Sequence, residues 1–182
     1  MEFKETKLKG CYIITPNIFG DPRGYFFESF NQQLFEDNIG KISFVQDNES
    51  RSSYGVLRGL HFQKPPFNQA KLVRCVEGKV LDVVVDLRKD SNTYGKHITV
   101  ELSAENKKQL FVPRGFAHGF VVLSETAIFS YKVDNWYSAQ SDSGIAYNDV
   151  DLNIDWQIDE EAVLLSVKDS QLQSLAQLNS PF

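Results

Sequence analysis

Several things are scarce in this chain of 182 residues. Cysteine occurs only as Cys11 and Cys75, far apart and outside any metal-type spacing. That excludes a disulfide framework and a cysteine-based zinc site, and both read as free thiols of a reducing compartment. No apolar run approaches the roughly 20 residues of a membrane-spanning helix. The segment Met1–Lys7 also lacks the apolar stretch of a signal peptide. The expectation is a soluble, cytoplasmic protein with no membrane partner. A basic excess is missing too, since the formal net charge is −5. Binding a nucleic-acid backbone needs a basic face, so no nucleic-acid partner is expected, although a few local Arg and Lys suffice for a small anion.

What is present is apolar and aromatic. Hydrophobic residues make up 42% of the chain and aromatics 13%, with 14 Phe, enough for a core of the kind that β-structure tolerates well. Short runs with β character recur about every 10 residues from Val56–Phe62 onward. They continue through Ala70–Val76, Lys79–Leu87, His97–Leu102, Lys108–Val112, Phe116–Leu123 and Ala127–Val133, with turn signals such as Glu77-Gly78 between them. Val80–Asp86 reads as buried on both faces. This rhythm predicts an all-β, antiparallel sandwich or barrel in one domain, residues 1–182.

Earlier, Tyr12–Pro16, Tyr25–Ser29 and Ile42–Gln46 read as strands. Gly20–Gly24 reads as a loop, and Gln46–Ser53 as a polar loop. A helix is expected over Asn31–Asn38 with Gly40 as its stop. The last third is polar and loop-like over Trp136–Asp155. A short helix around Leu172–Ala176, capped by Asp169-Ser170, is expected near the end.

The stretch Val56–Gln63 places Arg58 and His61 inside an apolar run. One histidine in such a run is ordinarily core. Three further segments repeat the pattern: Gln69–Arg74, Pro113–Phe120 and Phe129–Tyr131 each set a charged or proton-transferring group among β residues. Alternation puts Lys71 with Val73 and Cys75, Tyr131 with Phe129 and Val133, and His61 with Leu57, Gly59 and Gln63. If those faces look inward, His61, Lys71 and Tyr131 share a cavity. Arg58 has the opposite parity and reaches it only from a strand end or past a bulge, which Gly59 permits.

Pro113-x-Gly115-x-x-His118 resembles the second motif of the cupin superfamily. Gly59–Gln63 sits where the first motif places two histidines, but Gln63 stands for the second and no carboxylate follows. With an ammonium, Lys71, nearby, the metal set is incomplete, and organic acid–base chemistry without a metal is the reading. Asp21–Glu28, Phe44–Asn48, Leu57–Gln63, Lys71–Arg74, Val112–Phe120 and Leu165–Asp169, in order, resemble the dTDP-4-dehydrorhamnose 3,5-epimerase family.

That resemblance implies a jelly-roll cupin fold with a few short peripheral helices. It implies cofactor-free double epimerisation of dTDP-4-dehydro-6-deoxy-glucose at C3 and C5, in dTDP-L-rhamnose biosynthesis, by a homodimer. His61 matches the base, Asp169 the carboxylate that orients it, Lys71 the group that stabilises the enolate, and Tyr131 the acid. Arg23, Glu28, Gln46, Asp47, Asn48, Arg58, Lys71, His118, Tyr137, Asp142 and Lys168 match substrate-binding positions. Asp142 stands where the family often has Glu, and Arg114 has no assigned role. For the dimer, a segment such as Tyr12–Ile18 is expected to add to the partner's sheet. Two alternatives stay open: a mono-epimerase or ketoisomerase acting on a related ketosugar, and a non-catalytic sugar-binding cupin.

Overall fold

The computed structural model describes residues Met1–Phe182. Its strands, in chain order, are β1 (Glu2–Glu5), β2 (Tyr12–Thr15), β3 (Ile18–Asp21), β4 (Gly24–Phe27), β5 (Gln46–Ser53), β6 (Leu57–Gln63) and β7 (Lys71–Glu77). They continue with β8 (Lys79–Asp86), β9 (His97–Ser103), β10 (Gln109–Val112), β11 (Phe116–Val122), β12 (Thr126–Val133) and β13 (Asp142–Gly144). One helix, α1 (Gln32–Asn38), starts where Asn31 accepts the Leu34 amide with its side chain at 3.1 Å.

Two antiparallel sheets face each other. The first has the order β1-β2-β10-β7-β12-β5, and the second β13-β6-β11-β8-β9. Strand alternation decides what lies between them. Val73 and Cys75 of β7, Val80 and Val84 of β8, Phe116 and Phe120 of β11, and Phe129 of β12 point inward and form the central core. Leu81, Val83 and Val85 point outward, where Ile145, Leu152 and Trp156 of the C-terminal third cover them. This explains why β8 is apolar on both faces. The outer face of the first sheet is covered by α1, whose Phe35 packs edge-on against Phe111 with ring centroids 5.2 Å apart.

Some segments differ from the sequence reading. Gln46–Ser53 is a strand, not a loop. It pairs with β12 along its whole length, and its alternate residues face the polar end of the interior, so the usual apolar face is missing. Ile42–Val45 is irregular, and its Phe44 packs onto α1 through Phe35. Within Gly20–Gly24 only Pro22 and Arg23 form a turn, because Gly20 and Asp21 end β3 and Gly24 begins β4. The C-terminal helix does not form. Only a 3-10 turn, Asp169–Gln171, is present, and the partly buried Leu175 packs against the outer core without helical continuation. Tyr12–Thr15 has no free edge to offer a partner, because β1 and β10 occupy both sides of β2.

The bulge in β6 is the local feature that builds the site. Arg58 pairs with Phe120 and His61 with His118, so three steps on β6 answer two on β11. Gly59 has φ +136°, and a Cβ there would lie 2.5 Å from the Gly119 Cα. Only glycine permits both the backbone angle and the approach. The extra residue changes the phase of the strand: Leu57 turns outward with Leu60 and Phe62, contrary to the simple alternation expected, while Arg58 and His61 both face the cavity.

Candidate active site

At one end of the sandwich the interior opens into a cavity of about 590 Å³. Its walls carry His61 and Arg58 from β6, His118 from β11, Lys71 from β7, Tyr131 from β12 and Asn48 from β5. An adjoining recess of about 390 Å³ shares Asn48, His61, Lys71 and Tyr131, and adds Gln46, Gln63, Tyr137 and Asp142. Lys168 borders both.

His61 is on the second sheet, and Lys71 and Tyr131 are on the first, so the cavity has proton-transfer groups on opposite walls. The chain returns to His61 from far away in sequence. The Leu57 amide donates to the Leu164 carbonyl at 3.0 Å, and the Leu164 amide to the Gly55 carbonyl at 2.9 Å. This tie carries the next residues along β6, until Asp169 Oδ1 lies 2.5 Å from His61 Nε2. The Asp169 amide donates to Ser166 Oγ at 3.1 Å, which fixes the turn. Burial holds the His61 imidazole below the usual histidine value, and Asp169 pulls back upward without cancelling that. A neutral imidazole facing a cavity at neutral pH is a base in working form.

Burial likewise lowers Lys71 to about 8, with Asp82 and Asp142 acting upward on it. Burial pushes the Tyr131 hydroxyl up, so it carries its proton at neutral pH. The arrangement contains a base on one wall, a protonated acid on the other, and a cation beside the acid.

Arg58 is steadied from the side: its Nε and one terminal nitrogen donate to Ser52 Oγ at 3.2 and 3.1 Å. Gln46 donates to Asn48 Oδ1 at 2.7 Å. Asp142 accepts from the Tyr137 hydroxyl at 3.1 Å and also from Lys168. Tyr137 itself is exposed at the rim.

Three of the expected residues are not brought here within one chain. Asp47 has the opposite parity to Gln46 and Asn48, so it faces outward and pairs with Lys132 at 3.0 Å. Arg23 lies on the β3–β4 turn and pairs with Asp21, and Glu28 follows the hairpin in an exposed position. Arg114, for which no role was assigned, donates from Nε to Asp134 at 2.8 Å; Asp134 also accepts the Ala70 amide next to Lys71.

The sequence reading gives Asp82 no role beyond the buried strand Val80–Asp86. Asp82 is fully buried on the inner face of β8, and both its oxygens lie 2.9 Å from His118 Nε2. An acid within an otherwise apolar, doubly covered strand was the available signal. Breaking such a buried pair by removing one partner typically costs about 3–5 kcal/mol.

Gln63, in place of a second motif histidine, accepts the Ser138 amide at 2.9 Å. No group of three or more His, Cys, Asp or Glu side chains comes together in the way a metal ion would need. No helix is long and apolar enough to cross a membrane.

Comparison with known proteins places this geometry. A family profile described as dTDP-4-dehydrorhamnose 3,5-epimerase matches residues 5–177. The chain belongs to the dTDP-4-dehydrorhamnose 3,5-epimerase family. A curated member from Shigella flexneri is 54% identical over 170 residues, spanning 93% of each chain. A crystal structure of the Elizabethkingia anophelis family member has 57% identity and a TM-score of 0.94, covering 98% of both chains. A Legionella pneumophila 3,5-epimerase, solved in complex with dTDP-4-keto-L-rhamnose, has 46% identity and a TM-score of 0.94. That match covers 98% of this chain and 94% of the other. The antiparallel sandwich expected from the rhythm of short strands is therefore the family's fold.

Proposed function

We propose that residues 1–182 act as one epimerase domain that inverts C3 and C5 of a dTDP-4-keto-6-deoxy-hexose, converting dTDP-4-dehydro-6-deoxy-glucose to the 4-keto-rhamnose form. The observation that carries this reading is the placement of His61, backed by Asp169, across one cavity from Tyr131, with Lys71 beside Tyr131. The substrate's C4 ketone acidifies the C–H bonds at C3 and C5. His61 takes the proton through a neutral imidazole, and Asp169 stabilises the imidazolium that results. The electron pair moves onto the C4 oxygen, where the Lys71 ammonium meets the developing charge in a site shielded from bulk water. Tyr131 returns a proton to the carbon from the opposite face, which inverts it. His61 then loses its proton to solvent and Tyr131 regains one, so no redox partner or metal enters the balance.

Arg58 and Lys168 supply positive charge for a diphosphate, with Asn48 and Gln46 nearby for polar contacts. Tyr137 at the rim offers a face for thymine. Arg23 and Glu28 join this set if the β3–β4 hairpin of one copy enters the cavity of another. The hairpin supports this: Phe19 and Phe26 are 62% and 69% exposed, a large apolar surface for a lone chain. The reading is thus of a homodimer in the cytoplasm, where Cys11 and Cys75 stay reduced. A monomer by light scattering at micromolar concentration contradicts the dimer.

The deciding experiment incubates the protein with the ketosugar in deuterated water. Deuterium at both C3 and C5, with inverted product, is expected. Label at one carbon only indicates a mono-epimerase or ketoisomerase, and label at neither indicates a binding protein.

A further inference from the structure

The catalytic steps above leave unused a buried charge that faces the interior beside the cavity. Asp82 sits in the middle of β8, with no exposed surface, on the inner face of the sheet. Its only side-chain partner is His118 Nε2, which both carboxylate oxygens approach at the same 2.9 Å. Folding alone does not require a carboxylate here, because an apolar side chain between Val80 and Val84 would continue the core. The His118 ring lines the cavity, and with Nε2 committed to Asp82 only its other nitrogen is left to face a ligand. Lys71 of the facing sheet lines the same cavity as His118, above the buried carboxylate. Burial pushes the Asp82 carboxyl up, and His118 and Lys71 act against that; the Asp82 charge in turn favours the ammonium form of Lys71.

We infer that Asp82 is a positioning residue: it fixes the His118 ring with one nitrogen toward the sugar, and its buried charge holds Lys71 in the ammonium form that the enolate needs. This rests on the epimerase reading above. Lys71 is the group whose ionisation reports it. Asp82 of β8 and Asp142 of β13 favour its charged form, and Lys168 opposes it. Glu49, Arg58, His61, His118, Tyr131 and Asp169 are the other titratable groups on the cavity wall. Tyr131 is displaced upward from its usual value and His61 downward, so neither titrates where Lys71 does, at about 8.

The test is the pH profile of kcat/KM for the wild type and Asp82→Asn, with folding of each checked by circular dichroism. In the wild type the alkaline limb follows Lys71, because loss of its proton removes the cation at the C4 oxygen. Removing a nearby anion disfavours the ammonium, so in Asp82→Asn the limb moves to lower pH by about 1 unit or more. A folded Asp82→Asn enzyme whose limb stays in place overturns the inference, whatever its maximal rate. If Asp82→Asn does not fold, Asp82→Thr decides, because a β-branched residue suits the strand and its hydroxyl can still meet His118 without a charge. The limb again moves to lower pH, and an unmoved limb overturns the inference. A wild type that incorporates no solvent deuterium defeats the epimerase reading instead, which separates the two failures.

Discussion

The molecule holds two His–Asp pairs built in opposite ways. His118 and Asp82 come from neighbouring strands of one sheet, are both buried, and meet symmetrically. His61 meets Asp169 across 108 residues of sequence; the imidazole is partly open to the cavity, and the carboxylate sits on an irregular turn. The same two side-chain types thus acquire different tasks from accessibility alone. A pair enclosed by strands can hold a ring and a charge in place but cannot exchange protons freely with solvent. A pair at a cavity wall can. The β6 bulge makes the difference, since it turns both Arg58 and His61 to the opening while His118 stays beneath them.

Truncating the two histidines breaks the comparison most severely. His61→Ala should lower kcat by roughly 10²–10⁴-fold, the usual worth of a positioned general base, and abolish solvent exchange with it. The same truncation at His118 should weaken turnover yet leave measurable deuterium exchange, because the base remains. Equal loss of exchange in both variants, measured by mass spectrometry of recovered substrate, defeats the division of roles. His61→Ala retaining more than about a tenth of its rate removes His61 as the base.

Tyr131→Phe sharpens the same comparison from the facing wall. The ring stays, so packing against Phe129 is kept and only the hydroxyl is lost. Deprotonation by His61 should survive, with deuterium entering the unreacted ketosugar in its original configuration while inverted product falls steeply. Loss of exchange and inversion in equal measure assigns Tyr131 to enolate formation or binding instead.

Asp169→Asn should cost less than loss of His61 itself. Asn keeps the shape of the acceptor but removes the charge that stabilises the imidazolium. A charge-assisted hydrogen bond is worth about 1.5–3 kcal/mol, which corresponds to roughly 10–100-fold in kcat. A kcat within error of the wild type means that His61 needs no anion behind it.

Much of this division was legible in the sequence, and the exceptions have physical causes. The strands from Leu57 onward were readable because alternation and turn signals agree there. Gln46–Ser53 lacks the usual strand signature because its inner face lines a polar cavity, so polar residues occupy the positions where a strand usually shows apolar ones. Asp47 stands between Gln46 and Asn48 in the family motif, but adjacent residues of a strand cannot share a face, so it points away from the cavity. The Arg58–His61 convergence was visible only as a permission granted by Gly59; whether the strand takes the extra residue depends on its neighbour Gly119. Asp82 looked like part of a buried strand, and it is. Its partner His118 lies 36 residues away, a separation that no local pattern reports.

The smallest expected effect is that of chelation, and it follows from the same two pairs. In a metal-binding cupin, histidines from the two motifs converge on one ion. Here each imidazole has its Nε2 engaged by a carboxylate, His61 by Asp169 and His118 by Asp82. Gln63, which occupies the remaining motif position, has its oxygen committed to the Ser138 amide. The Lys71 ammonium lines the same cavity, and a divalent cation beside it is repelled. Exhaustive treatment with EDTA should therefore leave turnover and both deuterium incorporations unchanged. Activity lost to EDTA and restored by one defined metal would mean that the two histidines can turn from their carboxylates toward a shared ion. His61 would then be a ligand rather than a base, and the two pairs would no longer be separate devices.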